Sequence, residues 1–238
     1  MEKIIKRLVW VLCCTLLFFN DLNAQSLDFN LRVGFPTSEF RYASNSTGIG
    51  LGGSLLFPIQ GQPIYFGVEL GYMVHGHSSQ NYDQYTFGFR RELELTTNNN
   101  MLNGNVVMRL IPTTEEDLYV TPYLEGVVGF NWLYTRTVLR DVSDNWSFNN
   151  NDNDNNQIDA RVDYSDVALV YGGGMGLMVG RDAMKLNLKC RYLFGSEAEY
   201  LDKESVELDS NSPQVLNYNS KTSLTHMILP EVGLVFLW

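Results

Sequence analysis

Reactive side chains are few in this chain, and they gather in three stretches. His75-Gly76-His77-Ser78-Ser79 sets two imidazoles beside two hydroxyls, and a histidine next to a serine can serve as the base that activates a nucleophile. The third histidine, His226, lies far away in sequence. Asn149 to Asn156 reads NNNDNDNN, and Asp152, Asp154, Asn156 and Asp163 occupy the first, third, fifth and twelfth places of a calcium-loop pattern. The sixth place, where the turn requires glycine, is Gln157, and no helices flank the stretch, so it reads as an acidic solvated loop that associates loosely with divalent ions. Tyr82, Tyr85, Phe87 and Phe89 beside Arg90 and Arg91 combine the residue types that anchor interfaces. The chain has no phosphate-cradling glycine loop, no zinc-spaced Cys/His set and no paired-carboxylate motif, so neither a catalytic centre, a metal site nor a cofactor is expected.

The elements that must position these residues begin after an unusual N-terminus. Lys3, Lys6 and Arg7 precede an apolar run from Leu8 to Phe19, and Ala24 supplies a small residue before Gln25. That is the pattern of a secretory signal peptide over residues 1–24, and its run is too short for a helical membrane span, which needs about 20 residues. Cys13 and Cys14 belong to this segment, which leaves Cys190 without a partner for an internal disulfide. The formal charge is -10; setting aside Lys3, Lys6, Arg7, Glu2 and Asp21 makes it -11. An acidic exported chain is a poor partner for nucleic acid.

Residues 25–238 alternate with a period of two, the signature of strands with one apolar and one polar face. In Ile64 to Val74 the even positions are apolar or aromatic, while Gly67, Glu69 and Gly71 take odd positions. In Met184 to Phe194, Met184, Leu186, Leu188, Cys190, Tyr192 and Phe194 share one face; Lys185, Asn187, Lys189 and Arg191 share the other. Eight segments follow this rule, roughly 26–35, 48–57, 64–75, 100–111, 118–135, 164–179, 184–195 and 223–238. Short turns at 58–63, 112–117 and 180–183 alternate with long polar loops at about 36–47, 76–99, 136–163 and 196–222. The alternation within residues 84–95 suggests that one hairpin continues past the bilayer. The expectation is all-β: an eight-stranded antiparallel up-and-down transmembrane β-barrel.

A soluble cup would show the same alternation with its apolar face inward, and volume decides between the two. The apolar face carries Phe29, Phe35, Phe57, Phe66, Tyr72, Phe130, Trp132, Tyr134, Tyr192, Phe194, Phe236 and Trp238. An eight-stranded barrel has room inside for only a modest set of side chains, so these must face lipid. The opposite face is rich in glycine and holds both signs of charge. Arg32, Glu69, Arg109, Glu125, Lys189, Arg191 and Glu231 are expected to form an ion-pair network filling the lumen, since unpaired buried charge is costly. Phe57, Phe66, Trp132, Tyr134, Tyr192, Phe194, Phe236 and Trp238 are expected to form the aromatic girdles at the two membrane surfaces. His75 and His77 extend the inward face of their strand on this reading, His226 faces outward near a rim, and Pro230 is expected to cause a bulge.

The ending MILPEVGLVFLW, with a terminal aromatic and apolar residues at alternating places before it, resembles the C-terminal signal of bacterial outer-membrane proteins. Together with the Ala24-Gln25 junction and the eight-strand plan, it is similar to the Bacteroidetes outer-membrane β-barrel (PorT-like) family, and more distantly to OmpA-type and opacity-type barrels. The resemblance is architectural and spans residues 25–238. It implies a small, usually non-catalytic barrel in the outer membrane of a Gram-negative bacterium, inserted by the barrel-assembly machinery through its C-terminal strand. Membrane lipid is then an obligatory partner, and a protein partner at the long loops, or a part in envelope integrity or secretion, is the favoured role. Two other functions stay open: a lipid-modifying hydrolase working through His77 and Ser78, since lipid A deacylases place His and Ser near the outer leaflet, and a narrow pore.

Overall fold

The computed structural model describes residues 26–44, 46–86, 89–112, 119–141, 157–181, 183–202, 205, 207–209, 212–217 and 219–237. The proposed signal segment, the NNNDNDNN stretch and Trp238 lie outside the described residues. So do Phe87 and the side chains of Tyr85, Phe89, Arg90, Arg91 and Asp163.

Eight strands close into one antiparallel barrel. Seven run in chain order: β1 (Ser26–Pro36), β2 (Gly48–Pro58), β3 (Ile64–Thr86), β4 (Phe89–Leu110), β5 (Val120–Asp141), β6 (Gln157–Val179) and β7 (Met184–Gly195). The eighth strand, β12 (Met227–Leu237), pairs with both β7 and β1 and seals the cylinder. The turn after β2 illustrates the short connections: Gln62 N–H donates to Ile59 O at 3.0 Å, and Gly61 takes φ +73°, a conformation that suits glycine.

The polarity is inverted relative to a soluble barrel. Exposed apolar side chains occur on every strand: Phe29 and Leu31 on β1, Ile49 and Leu51 on β2, Val68 and Leu70 on β3, and Val106 and Met108 on β4. They continue with Leu124 and Val128 on β5, Leu169 and Met175 on β6, Leu186 and Leu188 on β7, and Val232 and Leu234 on β12. Buried alternately with them are Asp28, Arg32, Glu69, Arg109, Glu125, Lys189, Arg191 and Glu231. A water-soluble monomer does not tolerate an apolar belt around its whole circumference, whereas a bilayer requires one. The strands of 11 or 12 residues, β1, β2, β7 and β12, match the length a tilted strand needs to cross it.

The strand bounds depart from expectation at the long-loop end. β3 to β6 each run for 22 or 23 residues, so much of the expected loops 76–99 and 136–163 is sheet. The final strand begins at Met227; Ser220–Leu224 is a separate strand, β11, paired with β8 (Glu197–Leu201). A further small hairpin joins β9 (Glu207–Asp209) and β10 (Ser212–Asn217). A short helix not foreseen from the sequence, α1 (Ser38–Ser44), follows β1.

Two expectations about local geometry are corrected. Pro230 causes no bulge: β12 pairs with β7 without a break from Met227↔Leu193 to Phe236↔Met184. Toward β1 the pairing passes from Arg32↔Glu231 to Phe35↔Ile228 in unchanged register, so the imino acid leaves a gap in the ladder with no added residue. The bulge sits at His75, where Val74↔Asn100 is followed by Gly76↔Asn99. One extra residue reverses which side chains face inward. His75 keeps the inward phase and is buried, but His77, beyond the bulge, points outward and is exposed, contrary to the expectation that both line the inner face.

Candidate functional site

The lumen is filled in layers, and each layer follows from alternation on the strands around it. At the short-turn end Tyr123, Met178 and Val235 are buried together, with Ile111 and Leu237 packed against them. Toward the other end Met73, Met101, Leu133, Leu193 and Leu229 form a second apolar layer. Phe40, projected from α1, rests on that layer with its ring 5.7 Å from His75 and 5.5 Å from Tyr200.

Between the two apolar layers lies charge. Arg109 donates to Glu125 Oε2 from Nε at 2.9 Å and from Nη2 at 2.7 Å. Arg191 Nη2 donates to Glu69 Oε1 at 3.0 Å and also contacts Glu231, while Arg191 Nη1 reaches Glu125 at 3.4 Å. Arg32 pairs with Glu231 at 3.2 Å and with Glu69 at 3.5 Å. Lys189 Nζ sits near the centre, 3.5 to 3.7 Å from Asp28, Glu69, Glu125 and Glu231. All seven charged residues singled out from the sequence are thus brought together.

Asp28 completes the set: its Oδ2 accepts from Arg109 Nη2 at 3.3 Å and from Asn187 Nδ2 at 2.7 Å. Sequence reasoning omitted it, although Ser26-Asp28-Asn30-Arg32 is the inward phase of β1 and the alternation rule would have found it. With Asp28 the network holds four carboxylates, Asp28, Glu69, Glu125 and Glu231, against four cations, Arg32, Arg109, Lys189 and Arg191. Formal charges balance, as a dry interior demands. Glycine makes the space: a Cβ on Gly52 or Gly71 would overlap the Arg32 guanidinium. Every acid of the network faces at least one base.

The outward aromatics form two bands. Near the long-loop end Trp132 and Tyr134 have ring centroids 5.3 Å apart, and Tyr192 and Phe194 4.7 Å. Tyr171 stacks on Phe194 at 5.3 Å, and the His226 ring stands edge-on to Phe194 at 5.6 Å. Near the short-turn end Phe57 is paired directly with Phe66 across β2 and β3, and Phe236 lies opposite Met184.

The histidine–serine stretch is taken apart by the bulge. His77 Nδ1 lies 2.7 Å from Asn98 Oδ1, and the Ser79 hydroxyl donates to Glu94 Oε1 at 2.8 Å. Adjacent residues on a strand point to opposite faces, so His77 and Ser78 cannot share a proton. The His75 imidazole instead lies 3.5 Å from the Ser44 hydroxyl, buried beside Phe40 and away from lipid.

Above the barrel, β3 to β6 continue as a four-stranded sheet with its own core. Leu93 and Leu95 of β4, Leu139 of β5 and Leu201 of β8 are buried together, with Tyr82 and Tyr164 against them. The β8–β11 hairpin covers this inner face, held by Asn99 Nδ2 donating to Leu201 O at 3.1 Å and by Glu199 N–H donating to Asp166 Oδ2 at 2.8 Å. Burial raises the Tyr200 phenol above its ordinary range, and hydrogen bonds from Ser220 and Tyr164 lower the exposed Glu199 carboxyl. Of the proposed recognition patch, Tyr82 turns into this core.

Comparison with known proteins gives structural likeness without sequence relatedness. No protein-family model matches the chain, and no curated protein matches it. Among solved structures it resembles the outer membrane protein OprG from Pseudomonas aeruginosa, at 11% identity and TM-score 0.45, covering 91% of this chain and 96% of that one. It also resembles Neisserial surface protein A, at 10% identity and TM-score 0.41, over 90% and 95% of the two chains. A third is a major outer membrane protein from Thermus thermophilus, at 14% identity and TM-score 0.44, over 89% and 99%. The barrel itself is defined by this chain's own closed strand pairing and outward apolar belt.

Proposed function

We propose that the chain is a non-enzymatic outer-membrane protein whose barrel is an anchor and whose working part is the sheet carried above it. One observation supports this most directly: β3 to β6 extend well past the length needed for spanning and build a separate hydrophobic core there with the β8–β11 hairpin. Anchoring alone requires no such structure, since short polar loops suffice to connect strands. On this reading the four long-loop regions present a surface to a protein partner or support envelope integrity or secretion, and the C-terminal strand engages the assembly machinery.

The filled lumen favours an anchor over a narrow pore, because apolar layers close both ends of the charge network. The separation of His77 from Ser78 disfavours a lipid hydrolase. The test replaces residues 78–97 by a two-residue turn in a strain lacking the native gene. The trimmed protein should still reach the outer membrane as a heat-modifiable band but fail to restore the phenotype of the deletion. Full restoration by the trimmed barrel would overturn the proposal, as would ion conductance of the wild type in planar bilayers or a mass change in lipid A on incubation with it.

A further inference from the structure

We infer that the outer rim at the β12–β1 seam is a binding site for the phosphorylated headgroup of an outer-leaflet lipid. A cavity of about 460 Å³ opens there, lined by Phe35, Pro36, Thr37, Arg41, Ser46, Thr47 and Ile228. Its two halves differ in chemistry. Phe35 and Ile228 face each other across β1 and β12 and belong to the exposed apolar belt, so the lower wall is continuous with the lipid-facing surface. The upper wall is polar, with the Arg41 guanidinium and the hydroxyls of Thr37 and Thr47.

A pocket apolar below and cationic above, at the level where the belt ends, matches a molecule with an acyl chain joined to a phosphate. Arg41 lies in the last turn of α1. Among the described residues no carboxylate lies within ion-pair distance of it. Glu39, the acid on the same helix, is turned toward β11, where it accepts from Leu224 N–H at 3.5 Å. An arginine free of a carboxylate offers its planar fork of donors to phosphate oxygens. The Thr37 hydroxyl lies 3.3 Å from Tyr192 OH, so the rim aromatics connect directly to the pocket. Although the chain is acidic overall, a lipid already confined to the leaflet needs no long-range attraction, and repulsion from distant loops is screened beyond about 8–10 Å.

This inference rests on the membrane-spanning reading, and its test keeps the two apart. The mature barrel is reconstituted in nanodiscs of zwitterionic lipid doped with bis-phosphorylated lipid A, its insertion is verified by heat-modifiable mobility, and retained lipid is quantified by mass spectrometry. Failure to insert would sink the membrane reading itself. With insertion verified, wild type should enrich lipid A over the bulk ratio, and Arg41→Gln should lower that enrichment by about tenfold, as loss of a charge-assisted contact implies. Arg181→Gln, at the opposite end of the barrel, should leave it unchanged. Dephosphorylated lipid A should show no enrichment, a comparison that needs no variant to fold. Equal retention of the two lipid A forms would overturn the site, and so would displacement by millimolar inorganic phosphate, which would indicate recognition of free phosphate.

Discussion

Arg191 on β7 reaches across the lumen to Glu69 on β3, Nη2 to Oε1 3.0 Å, over 122 residues of sequence. Both side chains are fully buried, so the contact is a cross-brace between opposite walls of the barrel. Glu69 also faces Arg32 and Lys189. Glu69→Leu should therefore leave three cations short of a partner and destabilise the barrel by about 3–5 kcal/mol. Urea unfolding in detergent, followed by tryptophan fluorescence, measures this, and a loss below about 1 kcal/mol would mean the network is not held as described.

Gly52 and Gly53 are neighbours with opposite surroundings. A Cβ on Gly52 would collide with the Arg32 guanidinium, whereas one on Gly53 would meet Phe29 at ordinary contact distance, 3.6 Å. Gly52→Ala should reduce the heat-modifiable fraction strongly, and Gly53→Ala should leave it nearly unchanged. Equal effects would contradict the inward placement of Arg32.

Phe40 seals the mouth from α1, in contact with His75 and Tyr200. Phe40→Ala should cost about 3–5 kcal/mol locally, as for other buried aromatic truncations. Hydrogen exchange should accelerate in α1 and the β8–β11 hairpin while the barrel strands stay protected. Uniform acceleration throughout would show that the mouth is not a separate unit.

Cys190 faces outward on β7, opposite Pro230, in the middle of the apolar belt. An environment-sensitive probe attached there should emit as in hydrocarbon and be quenched by brominated acyl chains. A water-like spectrum in bilayers would overturn the lipid-facing exterior.

Glu199 ties β8 to its surroundings through hydrogen bonds that favour the ionised carboxylate and lower its pKa from 4.5. A lowered folded-state value contributes stability above the unfolded pKa and loses it as pH falls through the folded one. The protection factors of amides 197–201, that is exchange corrected for its intrinsic pH dependence, should therefore fall in acid, below pH 4.5. Glu199→Gln should abolish that pH dependence; its persistence in the variant would assign it elsewhere.

The alternation of side chains was enough to establish eight strands, the lipid-facing side and seven of the eight charges in the ion-pair network described in the lumen. That legibility has a physical origin: in a barrel between lipid and a tight interior, every second residue must be apolar and the next small or polar, so the membrane writes its constraint locally into each strand. Even Asp28 obeyed the rule and was simply not read. What the local rule does not carry is phase across a defect and structure beyond the bilayer. The bulge at His75 reverses inside and outside along β3 without any signature in composition. Above the membrane, both faces of β3 to β6 are polar or mixed, and their pairing follows from Leu93, Leu95, Leu139 and Leu201 meeting in space. Phe40 is one aromatic in a polar stretch until α1 folds back over the mouth. Which acid meets which base, and which pocket forms at the rim, were settled only by closing β12 against β1, because that contact joins the chain's two most distant strands.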